Sequence, residues 1–342
     1  MEVRLWTALG ASFLATLVAT PLVRAGAWRL GLLDRPNERS SHQTVTPRTG
    51  GLGIVIGLLA GLLLAPADLG PPGLRALLAG GLLVAGVGLV DDRFGLPAWP
   101  RLAIQLIAAS GLVWTTGGLE RLPLPPPLDL ALGVAGPPLT VLWVVGVVNF
   151  YNFMDGIDGL AGLQGAVTAG ALTLAFAPGA PSAAALAAAL AGACAGFLVY
   201  NWAPASVFLG DTGSGLLGYT LAGLALVAPP GRSHEAAMVV MASLWLFLAD
   251  AGICLGRRVV AGSRWHAAHR EHLYQRWVAA GASHARVSSS IGFGALALTV
   301  LALVGWRTGE VFWYWTSLGA GSLMIAAEWA AVRHLERRSA GH

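Results

Sequence analysis

Apolar segments recur along the whole of this 342-residue chain, and they restrict its fold more than any other feature. Eleven segments, bounded by charges, prolines or glycines, lie at 4–23, 51–65, 75–90, 99–117, 137–151, 160–177, 183–200, 214–228, 236–255, 287–305 and 311–332. Crossing a bilayer takes about 20 apolar residues, so the shorter segments must extend into their flanks or tilt. Only 11% of the residues are charged, too few for the surface of a soluble domain this large. The sequence therefore predicts an all-α polytopic membrane protein with about eleven transmembrane helices, forming one domain over residues 1–342.

The distribution of basic residues predicts the orientation of these helices. All 21 basic residues are arginines; sixteen lie in odd-numbered connections and the C-terminal tail, and five in the N-terminus and even-numbered connections. By the positive-inside tendency, the odd connections and the C-terminus face the cytoplasm and the N-terminus lies outside. Because the arginines are divided among loops, the pattern argues against a nucleic-acid partner. The proline-rich connection 118–136 is expected to hold a short external hairpin.

Polar motifs concentrate in the odd-numbered connections. Asp34–Gly51, Asp91–Asp92, Asn149–Asp158, Asn201–Ser214 and His266–Arg276 belong to connections one, three, five, seven and nine. Even-numbered connections offer mostly Pro and Gly with scattered charges. We therefore expect one composite active site on the cytoplasmic loops, whereas a transporter more often places its polar groups near the bilayer midplane.

The carboxylates in these motifs suggest a site for a cation and an anion. Asp91 and Asp92 end an apolar run, where the helix dipole disfavours negative charge unless a cation or ligand compensates; a solvated helix end is the simpler alternative. Asn152, Asp155 and Asp158 are three apart and would share a face if their segment is helical, although Asx-Gly pairs also form ordinary turns. Asp211 lies in a small-residue turn suited to oxyanions, without the Gly-Lys-Ser/Thr of a phosphate-binding loop.

The metal and phosphate chemistry follows from these residue types. Aspartates without cysteine ligands or a tight histidine pair fit Mg²⁺, or Mn²⁺, better than zinc. Cys194 and Cys254 lie in apolar runs and are interpreted as packing residues. Arg48, Arg93, Arg101 and Arg270 can form forked bonds to phosphate, or serve only as orientation charges. The combination predicts metal-assisted phosphoryl transfer to or from a membrane-embedded substrate.

Five motifs, in order between about residues 30 and 280, resemble the polyprenyl-phosphate N-acetylhexosamine-1-phosphate transferases. They are Asp34–His42 with Thr46–Gly51, Asp91–Asp92, Asn149–Ala161, Phe208–Gly218 and His269–Arg276. The resemblance implies an Mg²⁺-dependent reaction of undecaprenyl phosphate with a UDP-N-acetylhexosamine, which releases UMP and leaves a lipid diphosphate sugar. It also implies a homodimer among membrane lipids.

The resemblance also assigns roles to individual residues. Asp211 would be the main metal ligand, with Asn152 and the catalytic Asp155 at the diphosphate. Asn201 and Asp158 would bind the nucleoside. Asp91, with Asp92 beside it, would lie closest to the attacking lipid phosphate, and His272 and Arg270 would meet the diphosphate and sugar. All of these are expectations carried over from the family.

The histidine spacing and the Pro-Arg-Thr-Gly-Gly sequence look more like the O-antigen and capsule-initiating branch than the phospho-MurNAc-pentapeptide transferases of peptidoglycan synthesis. The complete absence of lysine departs from the family, whose members often use lysine at phosphate contacts. The peptidoglycan reaction is the alternative within the family. An anionic-lipid or sugar-phosphate transporter and a non-catalytic membrane scaffold are the alternatives from other classes.

Overall fold

A computed structural model describes residues 2–34, 36, 44–65, 69–262 and 270–339. The described residues form thirteen α-helices: α1 (Glu2–Leu30), α2 (Gly50–Leu64), α3 (Pro72–Phe94), α4 (Ala98–Thr116), α5 (Gly136–Phe153), α6 (Leu160–Phe176), α7 (Pro181–Asn201), α8 (Gly210–Leu224), α9 (Ser233–Ser243), α10 (Trp245–Val260), α11 (Leu273–Ala279), α12 (His284–Thr308) and α13 (Val311–Ser339). Two short strands, β1 (Leu33–Asp34) and β2 (Thr46–Pro47), pair antiparallel. The chain is therefore an all-α membrane protein.

Each predicted apolar segment overlaps a helix, but the helices differ in length. Segment 236–255 consists of two helices, α9 and α10, which are bent by 71° at a short break. By length and composition, five described helices can cross a membrane alone, namely α1, α3, α5 with its preceding turn, α7 and α12, or six spans if the bent pair counts as one. The other segments form helices that fail this test singly. Cys194 and Cys254 are buried, as predicted.

Prolines and glycines set the helix boundaries that position the site. Pro72 opens α3, where its missing N–H costs nothing, and Gly95 ends it in the left-handed region at φ 66°. Pro97 then precedes α4. This short turn brings the last turn of α3 beside the first turn of α4.

Small residues allow the core helices to approach closely. Ser12 on α1 donates a hydrogen bond of 2.6 Å to the Gly57 carbonyl on α2. A Cβ at Gly192 on α7 would lie 2.1 Å from the carbonyl oxygen of Leu9, so this contact requires glycine. Such packing is typical of helices in lipid, where close contact rather than water exclusion drives association.

The strand pair joins the first connection to the start of α8. Phe208 N donates to Pro47 O at 2.8 Å, while Gly50 N and Gly51 N donate to Phe208 O and Leu209 O at 2.9 and 2.8 Å. Residues 46–51 are thereby fixed against the turn that precedes Asp211.

The opposite end of α4 leads into a hairpin, as predicted, and the external location of this hairpin stays a prediction. Arg121 and Ala131 form an antiparallel bridge, and Leu122 N donates to Leu130 O at 3.0 Å. The hairpin and the polar motifs thus lie at opposite ends of α4.

Candidate active site

Asp91, Arg101 and Asp211 meet where α3 ends and α4 and α8 begin. Arg101 Nη1 lies 2.6 Å from Asp91 Oδ2 and 3.6 Å from Asp211 Oδ1. The Leu96 N–H donates to the other Asp91 oxygen at 2.5 Å. Arg101 therefore supplies the compensating charge expected at the C-terminal end of α3, and it links the two aspartates that the sequence assigned to the lipid phosphate and the metal.

Asp92 contacts the first turn of α8. Its Oδ1 accepts the Asp211 N–H at 2.9 Å, and its Oδ2 accepts the Thr212 N–H at 3.0 Å and the Thr212 hydroxyl at 2.8 Å. Gly210 leaves room for this carboxylate, since a Cβ there would lie 2.7 Å from Asp92 Oδ2. A carboxylate from α3 thus satisfies free N–H groups at the start of α8.

The Asn152–Asp158 segment is not one helical face, which corrects that conditional expectation. Helix α5 ends at Phe153, and Gly159 adopts φ 78° before α6 begins, so the two aspartates lie in the intervening turn. Asn152 Oδ1 accepts the Ser214 hydroxyl at 3.1 Å, which places this carboxamide beside the first turns of α8. Asp155 is half-buried, so protein atoms replace part of the water around its carboxylate.

This desolvation, together with the charge of Asp211, raises the pKa of Asp155 to about 8, although Arg48 opposes the shift. Protein surroundings disfavour the ionised form of a carboxyl group. The Asp155 site is therefore short of positive charge in the protein alone.

The guanidinium group of Arg48 interacts with several aspartates of the site. Its Nε lies 3.7 Å from Asp34 Oδ2. Burial acts to lower the pKa of Arg48, but Asp34, Asp92, Asp211 and Asp155 together outweigh it and raise the pKa. Arg48 therefore lies within the electrostatic reach of four aspartates from separate connections.

The side chains of Asp158 and Asn201 link the turn between α5 and α6 to the segment that follows α7, through hydrogen bonds to backbone groups. Asp158 Oδ2 accepts the Ala205 N–H at 3.0 Å and lies 3.3 Å from His284 Nδ1. Asn201 is buried; its Oδ1 accepts the Gly159 N–H, and its Nδ2 donates to Val207 O, both at 3.0 Å. These contacts fix the loops on either side of the cluster, and the nucleoside-binding role remains a prediction.

His272 lies in a buried layer beside the same turn. Its ring is 6.1 Å from that of Phe153 and 5.8 Å from that of Tyr274, centre to centre, and its Nδ1 is 3.6 Å from Asp250 Oδ1. Tyr274 donates its hydroxyl to Phe153 O at 3.0 Å and fills the space above Gly156. The ninth connection therefore packs directly on the Asp155 turn.

One predicted phosphate ligand, Arg93, is not brought into the cluster. Arg93 is exposed, and its guanidinium lies over the ring of its neighbour Phe94 at 5.3 Å. Arg270 is exposed next to residues 263–269, which lie outside the described range. His266, His269 and most of the 35–43 motif, including Ser40-Ser41-His42, also lie outside the described range.

The donor set fits a magnesium ion. Among the described residues, no three His, Cys, Asp or Glu side chains are arranged to hold one ion. Magnesium, however, takes one or two carboxylates and leaves other positions to water and phosphate. Asp211 and the side-chain oxygen of Asn152, which accepts the hydroxyl of Ser214 in the same helix as Asp211, are oxygens of that kind. If ionised, the five carboxylates Asp34, Asp91, Asp92, Asp155 and Asp211 also exceed the two guanidinium charges of Arg48 and Arg101 by three.

Sequence reasoning missed Asp250, Thr212 and His284. Asp250 accepts the N–H groups of Leu273 and Tyr274 at 2.8 and 3.2 Å and so fixes the residues that follow His272. The sequence did contain an indication for Asp250, because a single carboxylate in an apolar helix favours a functional role. Thr212 and His284 gave no such signal, since their contacts join distant parts of the sequence.

Comparison with known proteins shows the family of this chain. The family model for glycosyl transferase family 4 matches residues 74–228. A probable undecaprenyl-phosphate N-acetylglucosaminyl 1-phosphate transferase of Bacillus subtilis (strain 168) is 33% identical, over 82% of this chain and 79% of its own. The decaprenyl-phosphate N-acetylglucosaminephosphotransferase of Mycobacterium tuberculosis (strain ATCC 25618 / H37Rv) is 34% identical, over 80% and 75%. An undecaprenyl-phosphate alpha-N-acetylglucosaminyl 1-phosphate transferase of Haemophilus influenzae is 32% identical, over 87% and 85%.

Aspartates and arginines gathered at one end of a helical membrane bundle, together with these matches, define a membrane-embedded glycosyl transferase. The chain belongs to the polyprenyl-phosphate N-acetylhexosamine-1-phosphate transferases of glycosyl transferase family 4, as its motifs predicted.

Proposed function

We propose that this protein transfers N-acetylglucosamine 1-phosphate from UDP-N-acetylglucosamine to undecaprenyl phosphate and so initiates a cell-surface polysaccharide such as O antigen. The observation that carries the proposal is the convergence of Asp91, Arg101 and Asp211 at one end of the bundle. Relatives along most of the chain bear names that specify N-acetylglucosamine and a polyprenyl phosphate, which favours this reaction over the peptidoglycan one.

The reaction joins an oxygen of the lipid phosphate to the sugar-bearing phosphorus and breaks that atom's bond to the UMP oxygen. A phosphate monoester has a second pKa of about 6, so the acceptor is largely dianionic and needs little help from a base. Asp91 takes the remaining proton or orients the attacking oxygen, while Arg101 and Arg48 offset developing negative charge. A two-step route through a phosphoryl-Asp91 intermediate is the competing mechanism.

Asp211 and Asn152 would hold the Mg²⁺, or Mn²⁺. When bound, the ion would offset charge on the diphosphate of the donor. Asp155, on the adjoining turn, lies in surroundings where added positive charge favours its ionised form.

The finer topology is also a proposal. Eleven spans would place the N-terminus outside and the C-terminus in the cytoplasm of a bacterial cell, with the site at the inner surface of the cytoplasmic membrane. The arginine distribution supports this orientation. A homodimer is proposed by resemblance alone.

The test is release of UMP by purified protein with undecaprenyl phosphate, Mg²⁺ and a panel of UDP-N-acetylhexosamines. We expect UMP with UDP-N-acetylglucosamine, none after chelation of divalent ions, and almost none from Asp211→Asn. Glu120→Gln, which removes an exposed charge at the hairpin end, is the matched control and should retain activity. No UMP with any donor would reject the transferase, and turnover by Asp91→Asn at saturating lipid would reject Asp91 as an obligatory nucleophile or base.

A further inference from the structure

A hydrogen-bond network of buried polar side chains lies at the break between α9 and α10. Gln164 Nε2, on α6, donates to the main-chain carbonyl of Ser243 at 2.8 Å and to the Thr168 hydroxyl at 3.0 Å. The hydroxyls of Ser243 and of Thr299, on α12, are hydrogen-bonded at 3.0 Å. All four residues are buried. Two neighbouring helices thus bind the same residue, and that residue is the last of α9.

The helix break leaves main-chain groups that need partners. The last four carbonyls of a helix lack hydrogen bonds within it, and Ser243 ends α9. Inside a membrane bundle, an unpaired main-chain group is costly because water is not there to replace the missing partner. The amide of Gln164 supplies a donor from a separate helix. This contact therefore lowers the cost of the 71° bend between α9 and α10.

The amide of Gln164 is itself incompletely paired. In the part of the chain that the structure describes, its Oε1 is buried and has no hydrogen-bond partner. An apolar side chain of the same size would avoid this penalty. Gln164 therefore contributes more through the groups that its N–H bonds hold than as a packing residue between helices.

The bend directs α10 toward the catalytic motifs. Phe247, one turn after the break, packs its ring against that of Tyr151 near the end of α5, with 5.4 Å between the ring centres. One turn further, Asp250 accepts the first N–H groups of α11, which directly follows His272. A straight continuation of α9 would carry both side chains away from these contacts. The bend is thus required for His272 to lie beside the Asp155 turn.

We propose that Gln164 is a positioning residue of the active site. Its N–H group holds the bend through the Ser243 carbonyl, and the bend places Asp250, and with it His272, beside the Asp155 turn. The effect on turnover rests on the proposed function, whereas the bend itself can be measured without substrate. A displacement of about 1 Å can cost about 100-fold in rate, so a partial loss of the bend should already reduce turnover.

Spin labels on the two helices test the bend by pulsed EPR in phosphatidylcholine vesicles. The labels are attached to Ser233→Cys and Val260→Cys after Cys194 and Cys254 are replaced. At the α-helical rise, the two Cα atoms are about 33 Å apart with the 71° bend and would be about 40 Å apart in a straight helix. Gln164→Met keeps the shape of the side chain but not its donors. We expect the mean distance to rise by at least about 3 Å and kcat for UMP release to fall at least about tenfold.

Three further variants separate the carbonyl contact from general packing. Ser243→Ala removes a hydroxyl but keeps the main-chain carbonyl, so it should retain the label distance. Gln164→Leu, a second apolar replacement of different shape, should repeat the increase in distance. Thr173→Val is the matched control on α6, because the Thr173 hydroxyl donates within its own helix, to Ala169 O at 2.9 Å. It should leave the distance and kcat unchanged.

The two measurements can fail separately. An unchanged label distance in both apolar variants of Gln164, or an equal increase in Thr173→Val, would overturn the proposal. An increased distance with unchanged kcat would also overturn it, because the bend would then not position the site. If the parent protein releases no UMP with any donor, the proposed function fails, while the label distances still decide whether Gln164 holds the bend.

Discussion

At the residue scale, Asp92 differs from its neighbour Asp91 in what it contacts. Asp91 lies beside the guanidinium of Arg101, whereas both oxygens of Asp92 accept hydrogen bonds from the first turn of α8. The negative charge also interacts favourably with the N-terminal end of that helix. We therefore interpret Asp92 as a residue that positions Asp211, and its catalytic assignment stays a prediction from the sequence.

Replacing Asp92 should reduce turnover by displacing Asp211. Asp92→Asn removes the charge from three hydrogen bonds, each worth about 1.5–3 kcal/mol when one partner is charged, so we expect about a 10- to 100-fold loss of UMP release. Thr212→Val removes only the hydroxyl bond and should cost about tenfold or less. The half-saturating Mg²⁺ concentration should rise in both variants. Unchanged turnover and Mg²⁺ dependence in Asp92→Asn would reject the positioning role.

Asp155 predicts a pH dependence of stability in the absence of metal. Its pKa is about 8 in the folded protein, against an ordinary value of 3.8 for an aspartate. Between these values the folded state retains a proton that the unfolded state has lost, so the free energy of unfolding falls as pH rises. In chelator, the Tm of the protein should fall relative to that of Asp155→Asn between about pH 5.5 and about pH 8.5. A parallel pH dependence of the two Tm values would contradict the raised pKa.

At the element scale, the site depends on close contact between α3 and α8. A Cβ at Gly88 would lie 2.4 Å from Asp211 O and 2.6 Å from Thr212 N, both of them backbone atoms that cannot move alone. The glycine therefore sets how near the carboxylates of α3 come to Asp211.

Gly88→Ala should separate these helices. Overpacking of this kind costs about 1–3 kcal/mol, and we expect a lower Tm with at least about a tenfold loss of UMP release. Gly86→Ala, two residues earlier on the same helix, is the matched control because a Cβ there meets nothing within 4 Å. It should leave both measurements nearly unchanged. Equal effects of the two substitutions would show that the contact does not limit activity.

At the junction of α10 and α11, as between α3 and α8, a carboxylate of one helix accepts N–H groups at the start of another. Asp250 lies in an apolar helix, and its carboxylate accepts the first N–H groups of α11, which directly follows His272. A buried carboxylate at a helix N-terminus gains both hydrogen bonds and a favourable dipole. His272 is thus held beside the Asp155 turn by a residue outside the recognised motifs.

At the scale of the whole molecule, the polar motifs gather at one end of the bundle and the 118–136 hairpin lies at the other. Eleven spans would also put the two chain termini on opposite faces. Single cysteines at Glu2, Glu120 and Arg337, all exposed, can test this after Cys194 and Cys254 are replaced. A membrane-impermeant maleimide on intact cells should label the first two and label Arg337→Cys only after permeabilisation. Labelling of all three from outside would reject the orientation.

Local sequence patterns predicted much of the secondary structure of this protein and the positions of its polar motifs. The apolar segments predicted where helices form, since burial in lipid depends on length and composition within one stretch of chain. They did not predict the break between α9 and α10, where residues on both sides are equally apolar. The identity of the catalytic motifs was also present in the sequence, because each motif is a short run of polar residues between apolar ones.

Only the tertiary structure decided which of these polar residues meet. Asp92 reaches an N–H group 119 residues away, and Arg48, Arg101 and Asp211 converge from three connections, while Arg93 faces outward despite its place beside Asp92. Such contacts depend on helix crossings set by glycines and small side chains, whose effect appears only when two distant helices are packed together. The sequence by itself therefore determined the kind of protein and which polar residues are predicted to form its site, and the fold decided the partners of those residues.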